Sequence, residues 1–393
     1  MSMPIKIADR MSRIRPFYVM ELLARARELE MGGRSIIHME VGEPDFPAPD
    51  SLVAAGKGAL DRGCTRYLPA CGLPELRCAV ADFYRARFGV SLDSRRVIIT
   101  PGASGALQLI MSVLVEQGDE VLMTDPGYPC NRHFVELAGG TPVPLPVGPD
   151  SDYQLTAERV AAAWNRNTVA ALVATPSNPT GTLLARDQLN DLYRSVASRG
   201  GTLLVDEIYQ GLVYDEPPHT ALAVADDLFV VNSFSKYFGM TGWRLGWLVA
   251  PEGYLDALER LAQNIFISSS SLAQFAALSV FSEENIGLME SRRIAFKQRR
   301  DYLLPALQAL GFRIKAQPKG AFYLYADCSD LSQDSSEFCR ALLEEVGVAA
   351  TPGKDFGSNQ PERYIRFAYT TGIPRLEEGV ARIARFLAAR KLR

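Results

Sequence analysis

The sequence is poor in the residues that bind structural metals. It contains three histidines and six cysteines in 393 residues, and no two cysteines form a C-x-x-C pair. Cys130 and His133 form one C-x-x-H pair, but no second pair is present to complete a tetrahedral zinc site. We therefore expect no metal site, and we expect the cysteines to be reduced thiols in a cytoplasmic protein.

Long apolar runs and an excess of positive charge are also missing. The first 30 residues carry charges throughout and lack the apolar core of a signal peptide. The longest uncharged run, residues 261–282, contains four consecutive serines, so it does not predict a membrane helix. The net charge of −3 argues against nucleic-acid binding, because phosphate contacts require a basic excess. We expect neither a membrane nor a nucleic acid as a partner.

The middle of the chain alternates short β-branched runs with helical patterns. This alternation is typical of an α/β fold in which helices cover a mainly parallel sheet. The predicted strands are residues 97–100, 120–124, 171–175, 202–205, 228–232 and 244–249, and helical patterns between them include residues 104–116, 186–198 and 254–263.

The pattern changes after residue 284, where a long charged helix is predicted over residues 286–310. Further strands are predicted at 313–316, 321–326 and 364–368, and further helices at 335–345 and 376–390. This pattern indicates a smaller α+β unit. We therefore predict a large domain over residues 45–285 and a small domain formed by residues 1–44 together with 286–393, with an amphipathic segment at residues 16–31.

Polar residues follow several of the predicted strands. Ligands bind at the carboxyl ends of parallel strands, where helix N-termini present free N–H groups. A site for an anionic, aromatic molecule is therefore predicted at five segments: Gly102-Ala103-Ser104, Asp125-Pro126-Gly127-Tyr128, Ser177-Asn178-Pro179, Asp206-Glu207-Ile208-Tyr209 and Ser233-Phe234-Ser235-Lys236.

Lys236 is the candidate nucleophile of this site. A lysine amine in a partly dry environment loses basicity and attacks an aldehyde. Ser233 and Arg244 are spaced to reach one phosphate, which an arginine binds through its fork. A lone Ser-x-Ser-Lys motif would instead indicate a surface loop, and Asp206 alone would equally well cap a helix. The interpretation therefore depends on the segments occurring together.

Taken together, these segments resemble the fold-type-I pyridoxal-phosphate enzymes of the class I/II aminotransferase family. The resemblance runs from about residue 15 to about residue 388, with the segments in the family's order and spacing. It implies a large three-layer domain with a mainly parallel seven-stranded sheet, plus a small α+β domain. It also implies a pyridoxal 5'-phosphate cofactor and the transfer of an amino group from an L-amino acid to a 2-oxo acid.

The resemblance assigns residues to the cofactor ring. Lys236 forms the Schiff base with the cofactor and later moves the substrate proton, and Asp206 pairs with the ring nitrogen. Tyr209 and Asn178 donate hydrogen bonds to the ring hydroxyl, while Tyr128 stacks on the ring. These roles are carried over from the family's motifs onto the matching positions.

The resemblance also assigns residues to the phosphate and the substrate. The phosphate and the remainder of the cofactor are bound by Gly102, Ala103, Ser104, Ser233, Ser235 and Arg244. Tyr67, in the segment 67–77, is expected to reach the phosphate of a second copy, so a homodimer is implied. Arg366, in the segment 364–368, binds the substrate α-carboxylate beside Asn178, and Gly42 allows close approach of the backbone.

The identity of the substrate stays open in the sequence. Aspartate, alanine and aromatic amino acids are all candidate donors, with 2-oxoglutarate or pyruvate as the acceptor. Some aspartate-specific relatives have a lysine where this chain has Ser104, which weakens the case for aspartate. Arg15, Phe17 and Tyr18 are candidates for covering the side-chain pocket.

Two other functions use the same scaffold. A C–S lyase or related pyridoxal-phosphate lyase would share the cofactor site and differ in which bond is aligned with the ring. A ligand-sensing regulator would need an added DNA-binding domain and a basic surface. Only about 15 residues precede the first matching segment, so the regulator is the more remote alternative.

Overall fold

The structure is a computed structural model that describes residues 5–14 and 16–391. Its helices are α1 (Tyr18–Met31), α2 (Asp50–Asp61), α3 (Pro74–Phe88), α4 (Gly102–Leu114), α5 (Cys130–Ala138), α6 (Ala157–Ala163), α7 (Arg186–Ala197), α8 (Leu255–Ile265), α9 (Ser271–Ala277), α10 (Glu283–Ala309), α11 (Ser335–Ala341) and α12 (Ile373–Lys391). Its strands are β1 (Ile37–His38), β2 (Val97–Thr100), β3 (Glu120–Asp125), β4 (Thr141–Pro146), β5 (Thr168–Ala174), β6 (Thr202–Asp206), β7 (Phe229–Ser233), β8 (Gly246–Val249), β9 (Tyr323–Asp327), β10 (Val348–Ala349), β11 (Thr351–Pro352) and β12 (Tyr364–Ala368).

Seven strands form the main sheet, in the order β2-β8-β7-β6-β5-β3-β4. Strand β8 is antiparallel to both of its neighbours, and every other pair in the sheet is parallel. The predicted mainly parallel, seven-stranded α/β fold is therefore confirmed.

Buried side chains cover both faces of the main sheet. Successive residues of a strand point to opposite faces, and neighbours in β2, β6 and β7 accordingly belong to two separate apolar clusters. Leu107 of α4 and Leu258 of α8 pack on one face, whereas Leu76 of α3 and Leu192 of α7 pack on the other. The sheet is thus the middle layer of three.

Strand β4 was not among the predicted strands. Its sequence has proline at three alternate positions, Pro142, Pro144 and Pro146, which lowers its strand propensity. The strand lies at the edge of the sheet and pairs only with β3. An edge strand tolerates proline because one side of its backbone needs no ladder hydrogen bonds.

The C-terminal part contains a three-stranded antiparallel sheet, in the order β11-β12-β9. Strand β1 pairs with β10 and so joins the N-terminal segment to this part. The prediction of a strand at residues 313–316 is wrong. Of these residues only Arg313 forms a β-bridge, and its partner is Asp327. The division into domains at residues 45 and 285 stays a prediction.

Within the described residues, no helix is both long and apolar enough to cross a bilayer. The same part of the chain holds no group of three or more His, Cys, Asp or Glu side chains arranged to bind a metal ion.

Gly246 sets the distance between β8 and the start of α4. A Cβ atom at this position would lie 2.7 Å from the carbonyl carbon of Gly102 and 2.8 Å from the nitrogen of Ala103. We expect Gly246→Ala to lower the free energy of unfolding by about 1–3 kcal/mol, because backbone atoms must move to admit the methyl group. Urea denaturation measures this loss. The control is Gly242→Ala, whose Cβ would meet nothing within 4 Å, and an equal loss in both variants would contradict the prediction.

Candidate active site

Lys236 follows β7 in a turn at the carboxyl end of the main sheet. Its Nζ donates a hydrogen bond to the Gly42 carbonyl (2.7 Å) and lies 5.9 Å from the ring centroids of Tyr209 and Phe322. Burial lowers the pKa of Lys236 to about 8, although the nearby Glu43 carboxylate opposes the shift. An amine with this pKa is available as a nucleophile or base near neutral pH.

Asp206 ends the neighbouring strand β6 and is buried. Among the described residues, its carboxylate accepts one hydrogen bond, from the Ile208 N–H (3.0 Å). Burial raises the pKa of Asp206 to about 6, despite that hydrogen bond and the attraction of Lys236. A buried carboxylate with acceptor capacity to spare fits a cationic N–H donor, such as a protonated ring nitrogen.

Tyr209 and Tyr323 form a buried pair beside Lys236, with their hydroxyl oxygens 2.7 Å apart. Burial raises the pKa of Tyr209 well above its ordinary value, so its hydroxyl remains a donor. A Cβ at Gly42 would lie 1.8 Å from the Tyr323 hydroxyl, which explains the glycine there. Sequence reasoning missed Tyr323, because it lies in a predicted strand without a motif.

Arg366, in β12, is brought against Asn178 as predicted. Its Nη1 donates to Asn178 Oδ1 (2.8 Å), its Nη2 donates to the Glu40 carbonyl (2.5 Å), and its guanidinium carbon lies 4.3 Å from the centroid of the Tyr323 ring. The side chain is buried, and among the described residues it forms no ion pair with a carboxylate. A buried guanidinium with spare donors is ready to bind an anion.

The predicted phosphate residues meet where α4 begins. Gly102 has a φ of +72° and faces the Arg244 guanidinium, because a Cβ there would lie 2.7 Å from Arg244 Nη2. Ser233 Oγ donates to Ser235 Oγ (3.0 Å), and both side chains are buried. Backbone N–H groups at a helix start, combined with an arginine, form an anion site. Two further members, Ala103 and Ser104, lie in the first turn of α4, the first buried and the second exposed.

Tyr128 follows β3 and is half-buried, and Phe17 contacts it edge-on with ring centroids 6.3 Å apart. Asp355 accepts a hydrogen bond from the Tyr18 N–H (3.0 Å), which holds the start of α1 near Tyr128. The third residue predicted to cover the pocket, Arg15, lies outside the described residues.

Tyr67 is exposed in the single chain, with a relative accessibility of 80%. Its loop is tied to the start of α9 and to the residues just before it, since Ser268 Oγ accepts from the Leu68 N–H (3.4 Å) and Ser271 Oγ donates to the Arg66 carbonyl (2.8 Å). The loop is therefore held in place while the tyrosine ring faces outward.

The family model described as "Aminotransferase class I and II" matches residues 34–383. The chain belongs to this family. Members of this family are aminotransferases that depend on pyridoxal 5'-phosphate. The protein is therefore an aminotransferase with this cofactor, and its substrates are amino acids and 2-oxo acids. The resemblance, the activity class and the cofactor predicted from the sequence are confirmed.

Individual relatives match over nearly the whole chain. A valine–pyruvate aminotransferase of Mycobacterium tuberculosis is 36% identical over 374 residues, which cover 95% of this chain and 96% of that protein. An aspartate aminotransferase of Streptomyces avermitilis is 34% identical, with 98% and 97% covered. The crystal structure of an aminotransferase from Mycobacterium tuberculosis has a TM-score of 0.95 at 36% identity, covering 98% of this chain and all of that one.

The side chains present fit this cofactor. The buried Asp206 carboxylate suits the ring nitrogen, the Arg244 guanidinium beside Gly102 suits the phosphate, and the desolvated Lys236 amine suits the aldehyde. The ring nitrogen, the phosphate and the aldehyde of pyridoxal phosphate thus each have a complementary group in one cleft.

The raised pKa of Asp206 predicts a pH effect in protein stripped of cofactor. The folded state holds this proton more tightly than the unfolded state, so the stabilisation is present below about pH 4 and lost as the pH rises through about 6. Asp206→Asn cannot show this loss. The free energy of unfolding of the variant relative to wild type should therefore increase by roughly 2–3 kcal/mol between pH 4 and pH 7.

Urea denaturation of both cofactor-free proteins at several pH values measures this difference. Glu207, whose pKa burial raises to about 8 with a smaller contribution from the Asp206 charge, is present in both proteins, so its own desolvation contributes to both. A difference that does not change with pH would show that the Asp206 carboxyl is not desolvated.

Proposed function

We propose that Lys236 carries the cofactor through a bond between its amine and the cofactor aldehyde. The observation that supports this most directly is the position of the amine, which is desolvated, bonded to the Gly42 carbonyl and close to the charges of Asp206 and Arg366. When an incoming amino acid frees it, the same amine would act as the base that takes the substrate Cα proton and later returns it. The bound cofactor supplies an electron sink for that step.

Asp206 keeps the ring nitrogen protonated in this proposal, and the Tyr209 hydroxyl and Asn178 amide donate to the ring oxygen. Tyr128 covers one face of the ring. The buried, hydrogen-bonded surroundings of Tyr209 support the donor role, because its hydroxyl keeps its proton. Holding these groups fixed before the substrate arrives avoids a reorganisation cost during the reaction.

Arg366 binds the α-carboxylate of the substrate, and Gly42 leaves room for it beside Tyr323. A bidentate arginine orients the substrate so that the Cα–H bond faces Lys236. The cofactor phosphate is bound by the start of α4, together with the hydroxyl and guanidinium groups already described: Gly102, Ala103, Ser104, Ser233, Ser235 and Arg244. In this proposal Arg366 binds the substrate carboxylate and Arg244 binds the cofactor phosphate. The spare donors of Arg366 and the proximity of Arg244 to Gly102 support these two assignments.

A homodimer completes the site, with Tyr67 of each copy reaching the phosphate bound by the other. The exposure of Tyr67 on a loop that is itself tied down supports this arrangement. An exposed tyrosine on an ordered loop is a common feature of subunit contacts. A cytoplasmic location remains a prediction from the cysteine content.

The amino donor and the 2-oxo acid acceptor remain to be identified within these substrate classes. Relatives are named for valine with pyruvate and for aspartate, and donors and acceptors of both kinds are candidates here. A screen of L-amino acids with pyruvate and 2-oxoglutarate identifies the best pair. Cystathionine without an acceptor serves as the control for lyase activity, which would release pyruvate or ammonia.

Lys236→Ala should abolish transamination and remove the visible absorbance of lysine-bound cofactor. Loss of the base and the covalent attachment together should reduce kcat by at least about 10³-fold, by analogy with other general bases and nucleophiles. Lys319→Ala is the control, because Lys319 is an exposed lysine paired with Glu216. A coloured, active Lys236→Ala protein would end the proposal.

Subunit complementation tests the shared site. Lys236→Ala and Tyr67→Ala proteins should each have low activity at limiting cofactor. Dissociating and reassociating the mixture should restore activity, because one site of each mixed dimer then combines an intact Lys236 with an intact Tyr67 from the partner. No recovery in mixtures shown by mass to contain mixed dimers would contradict a site shared between copies.

A further inference from the structure

Glu40 is a buried carboxylate, with 0% of its surface exposed, two residues before Gly42. Its Oε1 lies 2.7 Å from His38 Nδ1, and its Oε2 has no partner among the described residues. The other ring nitrogen of His38 lies 3.1 Å from Glu30 on α1. These three residues therefore form a chain from the surface to a buried charge, and none of the roles proposed above uses them.

The backbone of the same segment accepts hydrogen bonds from two cationic side chains of the site, Lys236 and Arg366. The Glu40 carbonyl accepts from Arg366 Nη2 (2.5 Å) and from Thr351 Oγ1 (2.9 Å), while the Gly42 carbonyl accepts from Lys236 Nζ (2.7 Å). The Glu40 carbonyl is therefore one of the groups that orient Arg366, together with the Asn178 side chain.

The segment is also fixed on both sides by the C-terminal part of the chain. Met39 lies between His38 and Glu40. Its N–H donates to the Ala349 carbonyl (3.0 Å), and its carbonyl accepts from the Ala368 N–H (2.7 Å). The backbone next to Glu40 is thus hydrogen-bonded directly to β12, the strand that carries Arg366.

A carboxylate buried away from water needs a compensating charge. His38 is the cation in contact with Glu40, and hydrogen bonding to Glu40 raises the pKa of the imidazole to about 9, against an opposing effect of burial. The imidazole of His38 is therefore protonated at neutral pH and carries its charge beside the buried Glu40. Glu30 also contacts the ring, but its side chain is 41% exposed and is solvated by water.

We propose that His38 is a positioning residue for the substrate-binding arginine. Its charge neutralises the buried Glu40, and the pair fixes the Glu40 carbonyl that orients Arg366. The inference rests on the proposed function in one respect, which is that Arg366 is taken as the ligand of the substrate α-carboxylate.

His38→Gln leaves a hydrogen-bond donor beside Glu40 but removes the charge. We expect KM for the amino donor to rise on the order of tenfold, since small displacements of a substrate ligand have effects of this size. The visible cofactor band and the bond at Lys236 should persist, and kcat should change less than KM. The double variant His38→Gln/Glu40→Gln has no charge at either position and should return KM to within about threefold of wild type.

Glu30→Gln is the matched control, because it removes the exposed carboxylate on the other side of the ring. A surface pair contributes little, so KM should stay within about twofold of wild type. If the His38→Gln protein does not fold, the comparison moves to the Glu40→Gln background. In that background, changing His38 to Gln should raise KM by less than about threefold.

Three results would overturn the inference. The first is a folded His38→Gln protein with wild-type KM, and the second is a double variant whose KM is no lower than that of His38→Gln. The third is a tenfold rise in KM when His38 is changed to Gln in the Glu40→Gln background. Arg366→Lys, measured in parallel, separates this failure from failure of the proposed function. A raised KM in Arg366→Lys with no effect of His38→Gln refutes only the positioning role, whereas a wild-type KM in Arg366→Lys refutes the carboxylate assignment and the inference with it.

Discussion

The amine of Lys236 is held between aromatic rings and buried charges, and its hydrogen bond to the Gly42 carbonyl joins the main sheet to the N-terminal segment. Its lowered pKa follows from this desolvation. The raised pKa of Asp206 has the same origin, since both groups lie at the dry end of neighbouring strands. Exclusion of water from this cleft thus makes the Lys236 amine more nucleophilic, and it leaves the Asp206 carboxyl in need of a cationic partner.

The cleft is built by two sheets that must keep a fixed distance. Asp206 and Lys236 come from the main sheet, whereas Arg366 and Tyr323 come from the three-stranded sheet. Asp125 links the two, because its buried carboxylate accepts hydrogen bonds from the Ser358 N–H (2.9 Å) and hydroxyl (2.8 Å). The proposed substrate ligand and the proposed base are therefore positioned by different parts of the fold, and contacts between those parts hold the two at a fixed separation.

The sequence predicts the α/β architecture and most strands, because hydrophobic runs and strand-end motifs are local signals. The strand β4 escapes prediction, since its prolines are tolerated only by an edge position that the sequence does not reveal. The sequence also does not predict that Tyr323 and Glu40 belong to the site. They contact Tyr209, Arg366 and His38 only through tertiary packing, which leaves no motif in the sequence.

The attachment of the cofactor is the claim on which the remaining roles depend. Reduction of the holoenzyme with borohydride, followed by digestion and mass spectrometry, locates the bond directly. The account predicts that the pyridoxyl mass is found on the peptide containing Lys236 and on that lysine alone. A modified lysine elsewhere, or a Lys236 peptide of unmodified mass in a fully loaded and active enzyme, would contradict it.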